Sequence, residues 1–309
     1  MDARQNTSER ETAEHWPQLP YEAWKETLDT LHMWTQIVGK VRMELTPLVN
    51  HWWHVTFSVT PRGLTTSSIP YHGGTFEVTF DFVEHNLSIR TSEGTTKALP
   101  LIPRSVAAFY REFMACLHAL GIDVTINTLP SEVRNPIRCD EDEVHASYDP
   151  VYAHRFWRVL VQTDTVLQRY RSPFLGKSSP VQFFWGGFDL ALTLFSGRRA
   201  PERPGADRMT RESTSHEEIS CGFWPGTDGF PIPAFYSYTS PEPPGLKTAA
   251  IRPAAASYNP EMEIFVLLYD DVRNASSPDQ ALLEFFQSTY EAGATLAKWD
   301  REALERSVV

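Results

Sequence analysis

Ser215, His216, Glu217 and Glu218, followed by Cys221 and Trp224, place an imidazole, two carboxylates and a thiol within ten residues. Imidazole beside carboxylate can carry protons in general acid/base work or bind a metal. A zinc-helix HExxH spacing is missing, since Ser220 stands four residues after His216. The segment therefore nominates His216 and Glu217 as catalytic residues and no metal ligand, against the plainer reading of a polar turn that satisfies its own backbone.

Other chemistry-bearing residues are scattered. His51 and His54 flank two tryptophans, but read as part of a strand they fall on opposite faces, one near the sheet edge and one on the solvated side. Lys177 opens a Lys-Ser-Ser-Pro run after Gly176. A phosphate loop follows a strand and opens a helix, whereas this run does the reverse, so the likeness is superficial. Arg198, next to Arg199 at the far end of a strand, could grip a carboxylate or phosphate. Lys177, Arg198, Trp224, His51 and His54 are thus candidates for ligand binding. Asp189 is functional only if both sheet faces are covered, and Asp149-Pro150 reads simply as a helix start. No GxSxG and no GxGxxG occurs, so no cofactor is named.

Composition limits the setting. The chain has 309 residues and 41% hydrophobic content, enough for one large or two mid-sized domains. Three distant cysteines point to a reducing compartment. The polar N-terminus and the lack of a long apolar run predict a cytoplasmic protein away from membranes. A net charge of -11 disfavours nucleic acid.

The elements that must hold these residues form a pattern. Trp24, Leu28, Leu31, Trp34, Ile37, Val38 and Val41 make a helical stripe. Trp53, Val55, Phe57 and Val59 alternate as a strand, Phe76 to Phe82 and Leu87 to Thr91 pair as a hairpin, and a short fourth strand ends near Leu101. A helix spans Arg104 to Leu120, stopped by Gly121, and Ile122 to Ile126 reads as one more strand. Slid by 133 residues, Trp24 falls on Trp157, Thr30 on Thr163, Pro47 on Pro180, Trp52 on Trp185 and Thr60 on Thr193, so the chain reads as duplicated. The expected fold is α+β, two α-β-β-β-β-α units with antiparallel sheets flanked by long helices. The divisions are a disordered leader (1–18), a first repeat (19–128), a connector (129–150) and a second repeat (151–309). That last repeat carries irregular insertions at about 197–234 and 240–262, where function is expected to reside.

The blocks Asn50 to Val55, Arg62 to Ser67, Tyr148 to Trp157, Gly176 to Trp185, Ser215 to Gly226 and Ser288 to Ala292 resemble a mainly bacterial family, domain of unknown function 5996. The resemblance implies no reaction and assigns no residue a role. The family often carries His where Gln182 stands, which implies that this strand supplies no metal-binding imidazole here.

These readings favour a protein that binds a small molecule in a cleft between its repeats, with catalysis as one form this could take. The alternative is an interaction module in which Phe223, Trp224, Phe230 and Phe235 form an exposed patch for another chain or a second copy, giving a homodimer. A metal hydrolase ranks third.

Overall fold

The computed structural model describes residues 15–202 and 204–306. Its described residues form an α+β fold of seven α-helices and two antiparallel sheets. They fall into two compact units, one comprising 21–157 with 183–189, the other 158–182 and 190 onward together with the residues before 21.

In the first unit, α1 (Tyr21–Leu45) buries every member of its predicted stripe. Its apolar face supports a ring stack in which Trp34 lies 4.7 Å from Phe109 and 5.5 Å from Tyr148. The strands are β1 (Ser58–Thr60), β2 (Gly63–Thr65), β3 (Ile69–Tyr71), β4 (Gly74–Asp81), β5 (Asn86–Thr91) and β6 (Thr96–Pro100). They lie in the order β1-β2-β4-β5-β6, with β3 also on β4. Phe76, Val78, Phe80, Leu87 and Ile89 point into the core, while Glu77, Thr79 and Arg90 alternate outward. Then α2 (Val106–Ala119) starts where the Ser105 hydroxyl accepts the Ala108 N–H at 3.2 Å and stops before Gly121 at φ 73°, the left-handed geometry glycine tolerates.

Helix α3 (Pro150–Arg171) and strand β7 (Gln182–Phe184) are each divided between the units. The Asp149 carboxylate accepts the N–H groups of Val151 and Tyr152 at 2.8 and 3.2 Å, as a helix cap does.

Gly39 of α1 lies against Trp185. A Cβ at Gly39 would come within 2.3 Å of the indole nitrogen, which itself donates to the Val55 carbonyl at 2.7 Å. Gly39→Ala is therefore expected to cost ~1–3 kcal/mol through overpacking, read as a lower urea midpoint with unchanged slope.

The second unit contains β8 (Asp189–Arg199), α4 (Arg208–Ser213), β9 (His216–Trp224), β10 (Ala234–Ser240), β11 (Ser257–Asn259) and β12 (Ile264–Leu268). After them come α5 (Tyr269–Arg273), α6 (Pro278–Leu296) and α7 (Arg301–Leu304). The strands run β11-β12-β10-β9-β8, and α6 packs on β9 and β10. Among the described residues no helix is long and apolar enough to cross a membrane.

Several sequence expectations are corrected. Residues 53–56 are not strand: a 3-10 turn at Asn50–Trp52 puts His51 and Trp52 at positive φ, 56° and 61°, and pairing begins with an isolated antiparallel bridge from Phe57 to Phe183 just before β1. Residues 122–126 pair with no strand. The insertion expected to be irregular at 197–234 contains regular elements: β8 continues to Arg199, α4 spans Arg208–Ser213 and β9 is a nine-residue interior strand. The first fourteen residues of the leader lie outside the described residues, but Trp16 and Leu19 are buried, and the Trp16 indole donates to Asp279 at 3.0 Å.

Candidate functional site

Strand β9 sits between β8 and β10 and is covered on both faces. Ile219, Cys221 and Phe223 point one way, Glu218 and Ser220 the other, all of them buried. Neighbouring residues of a strand project to opposite faces, so His216 and Glu217 diverge and do not act as one acid/base pair. His216 takes up a hydrogen-bond contact with the Ser215 hydroxyl at 3.1 Å. Burial, then Lys177 and Arg199, lower its pKa from the ordinary value, which favours neutral imidazole. Lys177 lies over the Phe195 ring at 4.8 Å, and burial lowers its pKa while Glu218 opposes the shift.

Glu217 is joined by Arg198. Its carboxylate accepts Arg198 Nε at 2.8 Å, Arg198 Nη2 at 2.6 Å and the Ser196 hydroxyl at 3.0 Å. The same guanidinium donates to the carbonyls of Ala297 and Lys298 at 2.6 and 3.1 Å. Those carbonyls follow the end of α6, where a cation is favoured by the helix dipole.

Beside this staple is a cavity of about 240 Å³. The end of β10 and the turn after it supply Thr239, Ser240 and Glu242, the end of α6 supplies Leu296 and, just beyond, Trp299, and β9 supplies Glu217. The charged side chains lining it are the two glutamates. Glu242 accepts the Tyr258 hydroxyl, whose pKa is raised by burial and then by Glu242, so that phenol remains a donor. Lys247 stands 3.6 Å from Glu242 at the outside. Among the described residues the buried Trp299 indole N–H has no hydrogen-bond partner, a cost to the fold. Glu242, Ser240 and Trp299 were not singled out in the sequence, where prolines and a short C-terminal helix carry no chemical motif.

The remaining candidates are not among the residues that line this cavity. Trp224 is at the opposite end of β9, ~26 Å from His216 at the usual strand rise, stacked on Phe230 at 5.7 Å. His51 and His54 belong to the first unit, and both are buried, at 5% and 3% exposure. The expectation of one edge and one solvated histidine is thus overturned, because the turn replaces the strand it assumed. His54 Nδ1 accepts the Val49 N–H at 3.3 Å and its carbonyl accepts Arg42 Nε at 2.6 Å. Among the described residues no three His, Cys, Asp or Glu side chains converge as a metal site would need. The aromatic patch is also corrected: Phe223 and Phe235 are fully buried, since their alternating face packs against Tyr269 and Phe286.

A larger hollow of about 640 Å³ covers the polar sheet face of the first unit. Its charges largely satisfy one another, Arg62 with Asp81 at 2.6 Å and Arg90 with Glu77 at 3.6 Å, and its lining carries both signs, whereas the charged side chains lining the cavity at Glu217 are carboxylates alone, their cationic partners standing outside the lining.

Residues 16–306 match the family described as "Family of unknown function (DUF5996)". The chain belongs to that family. No curated protein and no solved structure matches the chain. Membership in a family of unknown function assigns no chemistry to this DUF5996 protein.

Proposed function

We propose that this DUF5996 protein binds a small cationic metabolite, an amine of roughly amino-acid size, in the cavity at Glu217 and Glu242. The reading is carried by one observation: the charged groups lining the cavity are carboxylates, and they sit at the negative end of α6. Arg198 pairs with Glu217 through Oε2 and Lys247 stands 3.6 Å from Glu242, so a ligand cation would share these carboxylates with them, and the apolar wall of Leu296 and Trp299 suits the carbon skeleton of such a ligand. At about 240 Å³, the space is below the ~300 Å³ at which sites for drug-sized ligands begin.

Calorimetric titration with putrescine and choline, against succinate and glucose, tests it. A cation should bind one-to-one and weaken as salt rises. Glu242→Gln should weaken it about tenfold, ~1.4 kcal/mol, without changing the melting temperature by more than a few degrees. Cations binding no better than succinate or glucose would remove the proposal.

A further inference from the structure

The connector between α2 and α3 carries a second arrangement, in the first unit, that the cavity does not involve. On α1, His32, Gln36 and Lys40 repeat at every fourth residue and so share one face. Gln36 clamps the backbone of Ser131 from both sides: its Oε1 accepts the Ser131 N–H at 2.9 Å and its Nε2 donates to the Ser131 carbonyl at 2.7 Å. Lys40 then reaches the Ser131 hydroxyl, Nζ to Oγ at 3.1 Å. Lys40 is only 3% exposed, and among the described residues no carboxylate lies within ion-pair distance of it. Around it also lie the Trp185 ring, 5.8 Å away, and Cys139 and Glu44, whose charges act against the effect of burial. Ser131 itself is half-buried and so within reach of solvent.

A buried ammonium without a direct ion pair is costly, and this one is aimed at a hydroxyl. Burial lowers the Lys40 pKa, which raises the fraction able to accept a proton. The next residue, Glu132, holds a positive φ of 60°, the sort of backbone strain that collects at functional positions. Cys139, the nearby thiol, is fully buried and has its pKa pushed up to about 11 by burial, which leaves the serine as the nucleophile.

We propose that Ser131 and Lys40 are a Ser–Lys catalytic pair that accepts an acyl group from a carboxylic ester. Neutral Lys40 takes the proton of Ser131 Oγ as that oxygen bonds to the carbonyl carbon. The bond from that carbon to the alkoxy oxygen breaks, and the proton passes to the departing alkoxide, which leaves as the alcohol. Water, deprotonated by Lys40, then cleaves the acyl-serine to the free acid and restores both side chains. Gln36 is a positioning residue: it fixes the serine backbone and touches no reacting atom.

The test is covalent labelling of the full-length protein with an alkyl fluorophosphonate, followed by intact mass and peptide mapping. One adduct on the Ser131 peptide is expected, absent in Ser131→Ala and formed at least about 100-fold more slowly in Lys40→Met, the scale of a lost general base. Lys40→Met should fold with equal or greater stability, since it removes a buried charge. Lys40→Arg, which keeps a cation and a donor but cannot act as a base, should label as slowly as Lys40→Met. An unlabelled wild-type protein, an adduct that persists in Ser131→Ala, or Lys40→Arg labelling at the wild-type rate would each overturn the proposal.

Discussion

Trp34→Ala is expected to destabilise the protein by ~3–5 kcal/mol, the range for emptying an aromatic site in a close-packed core. Trp34 has no exposed surface and is stacked between Phe109 and Tyr148, so truncation removes ring contacts on two sides and leaves a void that rigid neighbours cannot fill. Trp34→Phe is the informative control. The indole N–H of Trp34 is buried without a hydrogen-bond partner, so phenylalanine keeps much of the stack while discarding an unsatisfied donor. It should cost less than half as much as alanine. Equilibrium urea unfolding of the three proteins measures both values, and equal losses for Phe and Ala would show that the indole donor does have a partner.

Stability should also fall as pH drops from about 6.5 to about 4, and His32 should account for much of it. The His32 pKa is lowered from 6.5 to about 4, chiefly by burial, with the carbonyls of Gly186 and Trp185 and the charge of Asp29 opposing, and His145 adding to the shift. Its Nε2 lies 2.9 Å from the Gly186 carbonyl, which can only accept, so the ring proton is assigned to Nε2. With the folded pKa below the unfolded one, the unfolded chain binds the proton first. The neutral-histidine stability is complete above pH 6.5 and is lost as pH falls through that window, up to ~2–3 kcal/mol once solvent near the half-buried ring is allowed for. Urea midpoints at pH 7.5, 5.5 and 4.5 should therefore decline more steeply in the wild type than in His32→Gln. Parallel declines would assign the acid sensitivity to other groups.

His32 also illustrates how a site can be present in a sequence yet pass unseen. His32, Gln36 and Lys40 have the spacing of a helix face, and that spacing is readable. What Gln36 and Lys40 meet is Ser131, some ninety residues later, delivered by a connector with no regular structure. The cavity at Glu217 is similar. Its glutamates come from β9 and from a turn after β10, and its wall from the end of α6, three segments whose adjacency is set by strand pairing and helix packing.

The sequence by itself determined the helices, because a 3.6-residue apolar period in α1 and α2 has one stable outcome, the burial of that stripe. It determined the α+β class and the β4–β5 hairpin as well, through alternation and a short polar turn. It did not determine β9. An interior strand covered on both faces shows no alternation, and its charged start resembles a loop. Nor did it determine the turn at His51, where left-handed backbone is imposed on residues that favour strands. Tertiary structure alone decided that His216 and Glu217 part company, that Arg198 joins Glu217, and that Lys40 is buried against Ser131. Each depends on which face of an element is covered, and covering is a property of neighbours distant in the chain.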